Sequence, residues 1–116
     1  MTEAEMEAIV LGFPGAEKGE SYGQPAYKVG GKFFTRLRAE DRSVVLQEVG
    51  PDEREMLMAA EPDTFHLTTH YLDYPIVLAR IESLDPGSFR NFLARRWRKV
   101  APKKLIRAYD QAEAGA

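Results

Sequence analysis

Ala26-Tyr27-Lys28-Val29-Gly30-Gly31-Lys32-Phe33-Phe34-Thr35-Arg36-Leu37 decides the fold. Two runs rich in aromatic and β-branched residues flank a Gly-Gly pair, and that pair supplies the positive φ angles of a two-residue hairpin turn. Strands are therefore expected over Ala26 to Val29 and Lys32 to Leu37, with Val29 opposite Lys32. Simple alternation then puts Tyr27, Val29, Phe34 and Arg36 on one face and Lys28, Phe33, Thr35 and Leu37 on the other. Both faces mix apolar and basic residues, so the pattern does not say which one is buried. Downstream, Ser43 to Val49 reads as a third strand. Ile76 to Ile81, bounded by Pro75 and Asp85-Pro86-Gly87, reads as a central strand covered on both faces.

Helices account for the remainder. Thr2 and Glu5 form a capping box before Met6, Ile9 and Val10, with Gly12 as the stop. Pro51, followed by Asp52, Glu53 and Glu55, opens a second helix that ends before Pro62, with Met56, Leu57 and Ala60 on its expected buried side. A third helix begins at Asp85 or Ser88. Its Phe89, Phe92, Leu93, Trp97 and Val100 fall within an arc of about 140° at 100° per residue. Pro102 interrupts it, and Leu105, Ile106 and Tyr109 give a further inner stripe. The order is α+β: one domain over residues 1 to 113 and a frayed tail at 114 to 116.

With 116 residues and no cysteine, the chain holds one core and excludes disulfides, thiol nucleophiles, thiolate zinc and iron–sulfur chemistry. Glu3, Glu5 and Glu7 stand where a secretory signal would be positive, and no apolar run reaches the ~18 residues of a membrane span. The expectation is a cytoplasmic protein without a membrane partner. The net charge of −2 conceals a strong asymmetry. Residues 89 to 107 carry Arg90, Arg95, Arg96, Arg98, Lys99, Lys103, Lys104 and Arg107 and no acid, a segment charge of +8, against −10 for the other 97 residues. With a pI near 5.7, the chain is not one that coats nucleic acid indiscriminately.

Arg95, Arg98 and Lys99 lie opposite the apolar arc of the third helix, as a solvated face or as phosphate contacts. Arg96 falls inside the arc, so its guanidinium must snorkel, pair with a carboxylate or line a pocket. Lys103 and Lys104 occupy the first turn after Pro102, where the helix dipole disfavours cations by ~0.3–1 kcal/mol each and where an anion would be welcome. His66 and His70 have the spacing of a helical metal pair in a segment whose threonines and tyrosines favour strand or loop, so no metal site is expected. Tyr71 and Tyr74 bracket Asp73, either rimming a cleft or packing at a sheet edge. Gly12, Gly15, Gly19 and Gly23 are scattered in a loop without the spacing of a dinucleotide or phosphate loop, and no cofactor is expected. An enzyme reading lacks a nucleophile, a metal motif and paired carboxylates.

Phe13-Pro14-Gly15-Ala16-Glu17, Ser21 to Lys32, Thr69-His70-Tyr71 with Tyr74-Pro75, and Trp97-Arg98-Lys99-Val100-Ala101-Pro102-Lys103-Lys104-Leu105 together resemble the YjbR/MmcQ-like family of small bacterial proteins. The resemblance implies an antiparallel sheet with helices packed on one side, in a frataxin-like (CyaY-like) arrangement. It also implies DNA binding through two wings, here the Gly30-Gly31 hairpin flanked by Lys28 and Lys32 and the turn from Arg36 to Arg42. In the second wing Glu40 and Asp41 offset Arg38 and Arg42. The functional expectation is a non-enzymatic DNA-binding protein using Arg95, Arg98, Lys99, Lys103 and Lys104, with Lys28 and Lys32 as secondary contacts. The alternative is a phospholigand- or protein-binding domain whose anion pocket draws on His70, Tyr74, Arg96 and Lys103.

Overall fold

The computed structural model describes residues 1 to 115. Its elements are α1 (Glu3–Leu11), β1 (Ala16–Ser21), β2 (Gln24–Val29), β3 (Lys32–Thr35), β4 (Leu37–Arg38), β5 (Ser43–Gln47), α2 (Pro51–Ala60), β6 (Phe65–His66), β7 (Ile76–Arg80), α3 (Pro86–Val100) and α4 (Lys103–Ala114). A short 3-10 turn at Thr69–Tyr71 precedes β7. The architecture is α+β, with every strand pairing antiparallel. Of the expected tail, Ala114 closes α4, Gly115 caps it, and residue 116 lies outside the described residues.

The strands form two sheets rather than one, β1-β2-β3 and β4-β5-β7-β6. The chain passes from one to the other at Arg36, whose carbonyl accepts from the Val45 amide at 3.1 Å. The Gly30-Gly31 turn has the expected positive φ at both residues, +58° and +78°, and Val29 pairs with Lys32. Beyond that pair the register slips. Lys28 faces Phe33 but Tyr27 faces Thr35, so β3 carries one extra residue at Phe34. Such a bulge flips every side chain after it. Phe34 and Thr35 both turn inward, at 1% and 0% exposure, while Arg36 joins Phe33 on the opposite face. The expected grouping of Phe34 with Arg36 and of Phe33 with Leu37 is thereby corrected.

The stretch from Ala16 to Ser21 is a strand, not the loop its scattered glycines suggest. It joins β2 through a second tight turn in which Tyr22 and Gly23 have φ of +51° and +77°.

Helix α1 starts with both hydrogen bonds of the capping box between Thr2 and Glu5. Its Met6 and Val10 join Phe89, Phe92, Leu93, Trp97 and Val100 of α3 against Val44, Leu46, Val77 and Ala79 of the sheet. On the other face of the same strands Val45, Ile76 and Leu78 form a small separate cluster under Phe33 and Tyr71. β7 is thus covered on both faces, as its run of apolar residues predicts.

Helix α2 departs from expectation. Met56 and Ala60 are exposed, Leu57 is half-buried, and the buried residue is Arg54. Its guanidinium reaches under the sheet edge and donates to the carbonyls of Leu72, Tyr74 and Ile76 at 2.9–3.2 Å. Hydrophobic periodicity carries no information about such an arginine.

Candidate functional site

Two regions gather the chemistry that the sequence singles out. The first is the corner between α3 and α4. A side chain at Gly30 would stand 3.2 Å from the Pro102 ring, so the β2–β3 turn packs directly on this corner. Lys32 on the hairpin and Lys99, Lys103 and Lys104 on the helices are all exposed, and among the described residues none of them forms an ion pair. Pro102 begins α4 without a side-chain cap, which leaves the first amides of the helix open to solvent or an anion. Lys28 lies on the same hairpin with its aliphatic stem along Gly19.

Three arginines of the basic segment, Arg95, Arg96 and Arg98, are committed to carboxylates or carbonyls of the fold. Arg95 grips Glu53 with both terminal nitrogens, at 2.7 and 3.1 Å, and also donates to the Glu48 carbonyl. Arg98 holds Asp110 at 2.8 Å, one α-helical neighbour to another. Each carboxylate raises its partner's pKa and so favours the charged guanidinium. Arg96 resolves its position inside the apolar arc by snorkelling to Glu48, at 2.8 Å, and to the Phe33 carbonyl. Around the Arg36–Arg42 turn, Arg38 faces Glu40 and Asp41 at 3.4–3.5 Å, and Arg42 pairs with Glu82.

The second region is a cavity of about 400 Å³ on the face of the sheets away from the main core. Val45 and Ile76 form its floor. Phe33 and Arg36 flank it from the hairpin side, and Tyr22 overhangs from the β1–β2 turn. Opposite stand His70, Tyr71 and Tyr74. The His70 ring meets Tyr71 edge-on at 4.7 Å and lies 6.5 Å from Tyr74. Arg38 supports the Tyr71 ring from 5.5 Å. Of the expected anion pocket this cavity unites His70 and Tyr74, whereas Arg96 and Lys103 do not line it.

His66 does not converge with His70. Its Nε2 sits 2.7 Å from Ser43 Oγ and 3.8 Å from Asp41. This is not a catalytic triad, because the carboxylate approaches the nitrogen already engaged by the serine and Ser43 is fully buried. Burial, and then the nearby Arg80, hold the His66 pKa below the ordinary histidine value, with Asp41 opposing. No three metal-ligand side chains come together among the described residues.

A larger groove of about 550 Å³ between α1 and the β1–β2 hairpin is self-satisfied. Its Glu7 accepts from Lys18 and from the Tyr27 hydroxyl at 2.7 and 2.8 Å. Burial and that carboxylate push the tyrosine pKa well up.

The YjbR family matches residues 11–99, more than three quarters of the chain, including every strand of both sheets, α2 and all but the last residue of α3. The chain belongs to the YjbR family. Among curated proteins, it is 32% identical over 53 residues to the uncharacterized proteins Rv2570 of Mycobacterium tuberculosis and Mb2600 of Mycobacterium bovis. That match covers 46% of this chain and 41% of theirs. No solved structure matches. No helix among the described residues of this YjbR protein is long and apolar enough to cross a membrane.

Of the family-bearing motifs, Ser21, Tyr22 and Gln24 from one and His70, Tyr71 and Tyr74 from another line the cavity, and Pro102-Lys103-Lys104 forms the basic corner. From the sequence, Tyr71 and Tyr74 sit at a cleft as one of two options, Arg36 only opens the second wing, and Tyr22 and Phe33 have no binding role. The bulge that aims Arg36 has no signature in the sequence. The Tyr22-Gly23 pair between polar runs is the one signal that could have located the hairpin tip.

Proposed function

We propose that this YjbR protein binds duplex DNA through phosphate contacts at the α3–α4 corner, as a non-enzymatic bacterial cytoplasmic protein with the frataxin-like layering its family implies. The observation that carries this reading is the packing of the Gly30-Gly31 turn on Pro102, which groups Lys32 with Lys103 and Lys104. Cations at the start of α4 weaken the helix, and a phosphate placed there would offset that cost. Lys28 and Lys99 extend the lysine set, whereas Arg95 and Arg98 are removed from it by Glu53 and Asp110.

Fluorescence anisotropy against duplex DNA over a salt series tests the reading. Five phosphate contacts give a log–log slope of about −4 to −5. Replacing Lys103 and Lys104 together by Gln should leave the fold intact and make the slope shallower by about two units. Absence of binding at low salt, or a double variant that binds like the wild type, overturns it.

A further inference from the structure

The sheet-face cavity has features that a packing role does not require. Tyr22 is fully exposed, at 103%, yet holds a φ of +51°, a conformation that costs a non-glycine residue free energy. An Asn or Gly would suit that turn better, and the tyrosine recovers nothing through burial. Tyr74, 55% exposed, presents a second ring toward the same space. Arg36 is half-buried in the wall, aimed there by the bulge at Phe34, and its guanidinium has no hydrogen-bond or ion-pair partner among the described residues. No carboxylate lines the cavity. A guanidinium without an acid, in a pocket walled by aromatic rings, recognises an anion attached to a flat ring system. The volume of about 400 Å³ falls in the range of small-molecule sites. Gln24 and Gln47, also on the wall, offer amide donors and acceptors for the edge of a heterocycle.

We propose that this cavity binds a nucleoside monophosphate, with the base stacked among Tyr22, Phe33 and Tyr74 and the phosphate on Arg36. The site is separate from the lysine corner and does not depend on DNA binding there.

Isothermal titration of the full chain with AMP, GMP, CMP and UMP, with adenosine and inorganic phosphate as arms lacking the charge or the ring, tests this. At least one monophosphate should bind saturably, adenosine at least tenfold more weakly, and phosphate without saturation. Arg36→Gln should weaken the best monophosphate tenfold or more. Tyr74→Ala, at an exposed position, should do likewise and provides the test if Arg36→Gln does not fold. The variant with both Lys103 and Lys104 replaced by Gln should bind it unchanged. Failure of all four monophosphates to bind at millimolar concentration overturns the proposal. So does full affinity in both the Arg36 and Tyr74 variants, or loss of binding only in the lysine variant, which would place the nucleotide at the corner.

Discussion

The indole N–H of Trp97 donates to the carbonyl of Pro14 at 2.8 Å, tying the last turn of α3 to the turn that follows α1. The two residues are 83 positions apart, and no other hydrogen bond joins these segments among the described residues. Tyr109 of α4 packs on the same indole at 5.2 Å, so one side chain links two helices and the turn after α1.

Trp97→Phe keeps most of the volume and removes the donor, leaving the Pro14 carbonyl without its partner, and should cost about 1–3 kcal/mol. Trp97→Ala also opens a cavity and should cost about 3–5 kcal/mol, a large part of what a domain of this size has. Denaturant unfolding followed by circular dichroism separates the two. A Phe variant as stable as wild type would show that the hydrogen bond contributes nothing.

Arg54 donates to three alternate carbonyls on the approach to β7, of Leu72, Tyr74 and Ile76, while itself only 8% exposed. Arg54→Met fills similar space but leaves those acceptors without their donor, at a cost of about 2–4 kcal/mol. Because the Tyr74 backbone is one of the acceptors, nucleotide affinity at the sheet face should fall with stability. Amide exchange across residues 72 to 76 is the direct measurement. Unchanged protection there would show that the loop holds itself.

His66 makes stability depend on mild acid. Burial keeps its folded pKa below the ordinary value of ~6.5, so in that window the unfolded chain takes up a proton that the folded chain refuses. Stability is fully present above the ordinary value and is lost as pH falls from it toward the folded pKa. Wild type and His66→Gln compared in urea at pH 7.5 and 5.5 isolate this from the carboxylates. The wild type should lose more stability over that interval than the variant. Equal losses would mean that His66 is protonated in the fold, held by Asp41.

The elements with strong local signals were legible in the sequence: the capping box of α1, the Gly-Gly turn, the apolar run of β7 and the α3 arc all stand where expected. Strand β1 was not, because Glu17, Lys18, Gly19 and Glu20 are all exposed and strand pairing, with the Lys18–Glu7 ion pair but no apolar face, holds them in place. The lysines of the corner could be named from charge and dipole. Their pairing status could not, since Glu53 and Asp110 reach Arg95 and Arg98 only through the tertiary fold. Arg36 shows the limit most clearly. One extra residue in β3 decides which face it occupies, and a bulge at Phe34 leaves no mark in a run where both parities look equally apolar.

The two glycines of the hairpin turn should respond differently to the same substitution. Both have positive φ, so Ala at either position carries a conformational cost of about 1–2 kcal/mol. Around Gly31 there is open space, and Gly31→Ala should show that cost alone. At Gly30 the new methyl would meet ring carbons of Pro102 at 3.2 and 3.3 Å, closer than carbon atoms pack comfortably. The Pro102 ring is rigid and fixed at the junction of two helices, so the hairpin has to yield by tilting away from the corner. Gly30→Ala should therefore be the less stable variant. Because the tilt separates Lys32 from Lys103 and Lys104, it should also weaken DNA binding, whereas Gly31→Ala should bind DNA like the wild type once folded. Denaturant midpoints and anisotropy on the two variants check both halves. Equal stability together with equal DNA affinity would show that the turn and the corner touch without being coupled.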